Sequence, residues 1–145
     1  FEILHQSDSL NIVDDYGHHP AEIQATLETA KTVWPNRRLV VVFQPHRFSR
    51  TQHLLESFYS SFNDADQLVL LDIYAAGEKS IEGIHSRKIA QGVREFGHKH
   101  VDHLESIDSV IPHLKSSLQP GDVVLTLGAG NIGELAHKLA AQFHD

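Results

Sequence analysis

Strand-like and helix-like patterns of apolar residues alternate along this chain. Strands are predicted at 1–6, 10–13, 39–43, 67–72, 100–104 and 122–127. Helical spacing of apolar residues predicts helices in the segments 20–34, 51–62, 89–96, 107–118 and 135–143. The first two strands flank the turn-rich Ser7-Asp8-Ser9 and predict a hairpin, whereas uninterrupted runs such as Leu39–Phe43 are typical of strands buried on both faces. The alternation predicts an α/β fold: a doubly wound, mainly parallel, Rossmann-like sheet with helices on both faces.

Length and composition indicate one ordinary globular domain. The 145 residues are 41% apolar and 21% charged, with no internal boundary or repeat, so residues 1–145 are predicted to form a single domain. The absence of cysteine excludes disulfides and thiolate zinc sites. A formal charge of −7 argues against a nucleic-acid partner, and no apolar run has the length of a membrane span.

The chain starts at Phe1 and contains no methionine. We therefore expect it to be a piece of a longer protein. If so, other domains would supply part of any active site.

The end of the predicted strand 39–43 carries a cluster of cationic side chains. Pro45 stops the strand, and His46, Arg47 and Arg50 follow at the entrance of a helix. Arginines three positions apart on a helix face the same way, and each offers a donor fork suited to a carboxylate or phosphate. Because ligands of open α/β sheets bind outside the carboxyl ends of the strands, this corner predicts an anion site.

A second polar cluster, Asp14-Asp15-Tyr16-Gly17-His18-His19, follows the strand 10–13. Asp15 could simply cap the next helix, where a carboxylate is favoured by the helix dipole. Taken with His46, Arg47 and Arg50 at another strand end, however, the cluster favours a composite site for a polar, anionic substrate. The loop Tyr74-Ala75-Ala76-Gly77-Glu78 follows a third strand and is either a plain connection or a further wall of that site.

The segment Gly128-x-Gly130-x-x-Gly133 lies between a strand and a helix, as the dinucleotide-binding fingerprint requires. That fingerprint also needs an acidic residue about 20 positions further on, at the end of another strand, and none is present here. A tight turn that brings the backbone close to a ligand or a neighbouring strand is the preferred interpretation. A stand-alone nucleotide- or NAD-binding module remains the alternative.

Twelve histidines raise the possibility of a metal site. His98, His100 and His103 are close in sequence, and His18, His19, His46 and His53 could converge at strand ends; sites of histidine alone can hold zinc. Solvated histidines are the more common outcome for the first group, so no residue is predicted as a metal ligand.

Four segments together resemble a known family. Asp14–Pro20, Phe43–Arg50, Tyr74–Glu78 and Gly128–Asn131 are similar, in this order, to the C-terminal domain of the Mur ligases of bacterial peptidoglycan synthesis. The resemblance spans essentially the whole chain, and Phe43–Arg50 points to the subfamily that adds L-alanine to UDP-N-acetylmuramate. The subfamily that recycles a murein tripeptide is similar in the first segment but not in the second, and is the alternative.

The resemblance implies a cytoplasmic, ATP-dependent, amide-forming ligase that works through an acyl phosphate. It implies that Asp15 contacts the ATP ribose, that His18, His46, Arg47 and Arg50 face the amino acid and the acyl phosphate, and that Tyr16 lies beside them. The phosphate-binding loop Gly-x-x-x-x-Gly-Lys-[Ser/Thr] is absent from these residues. ATP and Mg²⁺ are then expected to bind mainly to a central domain, and UDP-N-acetylmuramate to an N-terminal domain. This domain alone is expected to be inactive and to close onto the central one.

Overall fold

The computed structural model describes residues 1–143 and contains one six-stranded sheet with the order β1-β2-β6-β3-β4-β5. The strands are β1 (Glu2–Gln6), β2 (Leu10–Asp15), β3 (Leu39–Phe43), β4 (Gln67–Leu71), β5 (Val101–Leu104) and β6 (Asp122–Leu127). The edge strand β1 pairs antiparallel with β2, and all other neighbours are parallel. The predicted N-terminal hairpin and the mainly parallel sheet are confirmed.

Helices cover both faces of the sheet. They are α1 (Pro20–Val33), α2 (Phe48–His53), α3 (Leu55–Tyr59), α4 (Ser86–Glu95), α5 (Val110–Ser117) and α6 (Ile132–Gln142), with a 3₁₀ turn at Ile107–Ser109. Among residues 1–143, no helix is long and apolar enough to cross a membrane.

The two faces of the sheet bury separate apolar clusters. In β3, Val41 and Phe43 pack towards α1, α3 and α4, whereas Val40 and Val42 pack towards α5 and α6. All five residues of β3 are buried, as its uninterrupted apolar sequence predicts. Each such side chain contributes about 1.5–3 kcal/mol when it leaves water, so the sheet centre is a rigid base for the loops at its edge.

The helix predicted at 51–62 was wrong in its extent. It begins earlier, at Phe48, and is divided at Leu54 into the short helices α2 and α3. Apolar periodicity continues through both, which is why the division could not be read from it. The earlier start places Arg47 immediately before the helix rather than in a loop leading to it.

Other helix ends agree with the local signals. Pro20 is the first residue of α1, and Gly97, with φ of +99°, follows the end of α4. Ser106 accepts a hydrogen bond from the Asp108 amide, as expected of a cap, although the first turn that it caps is 3₁₀ rather than α.

Candidate functional site

The strand order brings three loops together at the carboxyl edge of the sheet. β6 lies between β2 and β3, so the loop after β6 lies between the loops that follow β2 and β3 and is adjacent to both. The Gly128 amide donates to Asp15 O at 3.2 Å, and the Gln44 amide donates to Leu127 O at 3.0 Å. Residues that are far apart in sequence thereby form one continuous rim.

An open cleft of about 720 Å³ lies along this rim, and we call it the ligand cleft. Its lining comprises Tyr16, His18, His19, His46, Arg47, Ser49, Arg50, His53, Leu54 and Ala129. The structure therefore brings together the two polar clusters that the sequence places at separate strand ends. Five of the six predicted site residues line the cleft, and Asp15 lies next to it.

Arg47 has a strained backbone. Its φ of +75° lies in a region that a residue with a side chain occupies at a cost of about 1–3 kcal/mol. The conformation is held from both sides, since the Arg47 amide donates to Tyr74 O at 2.7 Å and the Arg47 carbonyl accepts from Thr51 Oγ1 at 2.8 Å. The Arg47 guanidinium makes no side-chain hydrogen bond within residues 1–143 and is exposed on the cleft. It is available to an anionic ligand.

His46 is a neutral imidazole of defined tautomer. Arg50 Nη1 lies 3.1 Å from His46 Nδ1, and because a guanidinium can only donate, Nδ1 must accept. Burial, followed by the charge of Arg50, lowers the pKa of His46 below 6.5. The proton of the neutral ring is therefore on Nε2, which makes His46 a hydrogen-bond donor.

His18 has the opposite tautomer. Its Nδ1 lies 3.1 Å from the carbonyl oxygen of Tyr16, which can only accept, so Nδ1 carries the proton. In the neutral ring Nε2 then has a free lone pair, with no hydrogen-bond partner in the described part of the chain. The His18 and His46 rings are 5.7 Å apart between centroids, so the cleft sets a proton acceptor beside a proton donor.

Asp15 does not cap α1, which was one interpretation of its position. Its Oδ1 accepts from the Gly17 amide at 2.8 Å, which closes a turn ahead of α1. Glu22 satisfies the start of α1 instead, by accepting from the His19 amide at 3.0 Å. That hydrogen bond, the largest cause, lowers the pKa of Glu22.

Tyr74 links the loop after β4, which contains residues 74–78, to the ligand cleft. Its ring stacks on His46, with centroids 5.6 Å apart and planes 17° apart, and its amide donates to Pro45 O at 2.8 Å. The loop after β4 is therefore bonded to the segment that carries the arginines, and it is more than a plain connection. The sequence alone left the role of this loop undecided.

The glycines after β6 serve close packing against β3 and Tyr74. A Cβ on Gly128, whose φ is +152°, would lie 3.0 Å from Gln44 O, and one on Gly130 would lie 2.6 Å from Tyr74 Cγ. Gln44 Nε2 also donates to Asn131 Oδ1 at 2.7 Å across this contact. The interpretation as a tight turn against a neighbouring strand is confirmed, and these glycines face protein rather than an open dinucleotide cradle.

Alanine substitution should separate packing from ligand binding at these glycines. Gly130→Ala should destabilise the chain by about 1–3 kcal/mol, because the new methyl group collides with Tyr74 and Gln44. Gly133→Ala is the matched control: its Cβ would meet only Asp14 Oδ2 at an ordinary 3.6 Å, and we expect a neutral change or a gain of up to about 1 kcal/mol. Urea unfolding of the two variants is the measurement, and equal losses would contradict the packing explanation.

Within residues 1–143, two groups of side chains lie close enough together to hold a metal ion: one is His18, His19 and Glu22, and the other is Asp72, His85 and His103. Neither group is the trio His98, His100 and His103. His98 Nε2 lies 2.6 Å from Ala65 O, and His103 Nε2 lies 2.7 Å from Asp72 Oδ1. The group of Asp72, His85 and His103 has His85 Nδ1 already accepting from the Arg87 amide. His18, His19, His46 and His53, which the sequence allows to converge at strand ends, all line the ligand cleft.

The fold and the site together define a class: an α/β domain with a cationic, histidine-rich cleft at the carboxyl edge of its sheet. The family model described as "Mur ligase, glutamate ligase domain" matches residues 1–130. The chain therefore belongs to the Mur ligase glutamate ligase domain family, which confirms the resemblance carried by its four motifs.

Two relatives illustrate the similarity in sequence. The UDP-N-acetylmuramate–L-alanine ligase of Geobacter sulfurreducens is 48% identical over 145 residues, which are 100% of this chain and 31% of that protein. The ligase of the same name from Nitratidesulfovibrio vulgaris is 49% identical over 141 residues, covering 97% and 31% respectively. This chain thus spans less than a third of the length of these relatives.

Solved structures agree on the fold. The UDP-N-acetylmuramate–alanine ligase of Thermotoga maritima superposes with a TM-score of 0.76 at 27% identity, over 95% of this chain and 28% of that one. A murein peptide ligase from Psychrobacter arcticus gives a TM-score of 0.78 at 21% identity, over 97% of this chain and 28% of that one, which shows a common fold alone.

Proposed function

We propose that this chain is the closing, amino-acid-binding domain of an ATP-dependent ligase that joins L-alanine to UDP-N-acetylmuramate. The observation that carries the proposal is the ligand cleft, where Arg47 and Arg50 lie beside the imidazoles of His18 and His46. Two planar cations suit the carboxylate of a free amino acid, and a proton acceptor suits its amino group. Relatives that bear the ligase name and match 97% or more of this chain support the choice of substrates.

The reaction joins an amine to an activated carboxylate. The carboxylate of UDP-N-acetylmuramate takes the terminal phosphoryl group of ATP, releasing ADP and leaving an acyl phosphate. The amino nitrogen of L-alanine attacks the acyl carbon, the new C–N bond forms, and the C–O bond to phosphate breaks with its electrons leaving on phosphate. The nitrogen loses a proton in this step, so a base close to it lowers the barrier.

The residues of the cleft divide these tasks by their chemistry. Arg47 and Arg50 would bind the L-alanine carboxylate, which fixes the direction of the amine. His18 Nε2, with its free lone pair, would accept the amine proton. His46 Nε2–H would donate to oxygen as negative charge grows in the tetrahedral intermediate. Tyr16 is 72% exposed with its ring edge-on to His18, and we place it at the mouth of the site.

The chain's own residues fit only a small part of an ATP site. Asp15 would hold the ribose through its carboxylate, whereas no glycine-lysine loop for the phosphates is present in the sequence. Mg²⁺ prefers an all-oxygen shell, and the two candidate groups within residues 1–143 are mixtures of histidine with a single carboxylate. We therefore propose that other domains of the same cytoplasmic chain hold Mg²⁺, the phosphates and the UDP-sugar, and that this domain closes onto them.

The decisive experiment uses the full-length protein that contains this chain. With ATP, Mg²⁺ and UDP-N-acetylmuramate, we expect L-alanine to be joined and ADP and phosphate to be released in equal amounts, as followed by mass spectrometry and a phosphate assay. Glycine, L-serine and the murein tripeptide serve as competing amines. Preferential use of the tripeptide would make the recycling ligase the correct assignment, and failure to join any amine would remove the proposal. Tight binding of NAD without ligation would instead support a dinucleotide-binding module.

A further inference from the structure

The loop Tyr74–Glu78, here called the clamp loop, is bonded to the arginine segment at both of its ends. At one end Tyr74 pairs with His46 as an isolated parallel bridge, through the hydrogen bonds to Pro45 and Arg47 described above. At the other end Glu78 reaches the first turn of α2. The clamp loop thus holds both sides of the strained Arg47.

The carboxylate of Glu78 satisfies the start of α2. Oε1 accepts from the Ser49 amide at 3.1 Å, and Oε2 accepts from Ser49 Oγ. The first amides of a helix have no partner within the helix, and a helix of six residues is too short to be stable by itself. α2 lacks a side-chain cap of its own, because its N-cap residue is Arg47. Glu78 takes the place of that cap from another loop.

The geometry of the clamp loop aims Glu78 at this turn. The Glu78 amide donates to Ala75 O at 3.0 Å, and Ala76 and Gly77 between them have φ of +52° and +86°. Positive φ at both central positions is the signature of a tight type I′ turn. A non-glycine residue at positive φ is uncommon, so the turn, like the conformation of Arg47, is imposed by its surroundings.

We propose that Glu78 is a positioning residue for the amino-acid substrate: it fixes the first turn of α2 and thereby sets the directions of Arg47 and Arg50. This inference rests on the proposed function, because it assumes that the two arginines bind the substrate carboxylate. Glu78 does not line the ligand cleft, so it acts through α2 and makes no contact with the ligand. Its loss should weaken capture of L-alanine and leave the binding of ATP and UDP-N-acetylmuramate unchanged.

The test compares three variants of the full-length ligase. Glu78→Ala removes all the contacts to α2, and we expect KM for L-alanine to rise roughly 5- to 50-fold, with KM for ATP within about twofold of the parent. Glu78→Gln keeps an oxygen for the Ser49 amide and an NH₂ for its hydroxyl, and should restore KM to within about threefold of the parent. Glu82→Ala, an exposed acid further along the same connection, is the matched control and should change neither KM.

The outcomes separate this inference from the proposed function. An unchanged KM for L-alanine in Glu78→Ala, with a raised KM in Arg50→Ala, would overturn the positioning role and leave the carboxylate site intact. Equal impairment of Glu78→Gln and Glu78→Ala would also overturn it, because the charge rather than the contact would then matter. If Glu78→Ala does not fold, Glu78→Asp shortens the side chain by one methylene outside the ligand cleft and should raise KM for L-alanine about two- to fivefold. No rise in that variant would contradict the proposal.

Discussion

Replacing His18 with alanine in the full-length ligase should lower kcat for L-alanine about 10²- to 10⁴-fold, the usual contribution of a positioned general base. The reason is the tautomer: the Tyr16 carbonyl holds the His18 proton on Nδ1, which leaves Nε2 as the acceptor. KM for L-alanine should change much less than kcat, since the arginines that we propose to bind the carboxylate remain. Steady-state kinetics at saturating ATP and UDP-N-acetylmuramate measure both quantities.

Hydroxylamine distinguishes a lost base from a damaged site. It is already unprotonated at neutral pH and can attack the acyl phosphate without a base, so His18→Ala should still form the hydroxamate at a rate close to that of the parent. His137→Ala, an exposed histidine on α6, is the control and should retain full activity with L-alanine. Loss of hydroxamate and amide formation by the same factor would show that His18 supports acyl phosphate formation or folding instead.

Replacing Arg50 with alanine should raise KM for L-alanine about 10- to 150-fold, as expected from the loss of charged hydrogen bonds worth about 1.5–3 kcal/mol. The substitution has a second effect on the site, because Arg50 Nη1 also contacts His46 Nδ1 and fixes the tautomer of that ring. Without that contact the pKa of His46 should rise towards its ordinary 6.5, since the charge of Arg50 is one of the causes that lower it. An NMR titration of the His46 ring in the variant would show this directly.

The direction of the pH effect follows from the sign of that shift. A histidine whose pKa is lower in the folded protein than in the unfolded chain favours folding fully above pH 6.5, and this contribution is lost as the pH falls through the lower pKa. Arg50→Ala should therefore reduce the acid sensitivity of the fold.

Arg87→Ala, which removes an exposed arginine of α4 outside the cleft, is the control for both measurements. Unchanged KM for L-alanine in the double variant Arg47→Ala/Arg50→Ala would remove the basis of the carboxylate site.

The sheet and the clusters of polar side chains at its strand ends could be predicted because both depend on the order of residues within short segments. Continuous apolar runs such as Leu39–Phe43 can only be buried on both faces, and the carboxyl ends of parallel strands share one edge. His18 and Arg50 could therefore be assigned to one site before any contact was known. The four motifs further indicated the Mur ligase family, and the match to the family model confirmed that assignment.

The tautomers and the clamp loop could not be predicted because they depend on distances between loops. The assignment of His46 needs the position of Arg50 Nη1, and that of His18 needs the orientation of one carbonyl group. The bond between Glu78 and Ser49 joins residues 29 positions apart, with no periodicity to indicate it. The division of α2 from α3 was missed because the apolar spacing runs through both.

The position of β6 has a consequence for how the domain forms. Residues 122–127 are the last strand within residues 1–143, yet they fill the gap between β2 and β3 near the middle of the sheet. Until these residues leave the ribosome, β2 and β3 have no shared neighbour, and the two walls of the cleft cannot be joined. Such distant pairing is slow and exposes strand edges meanwhile. Assembly of the ligand cleft must therefore wait until residues 122–127 have been translated.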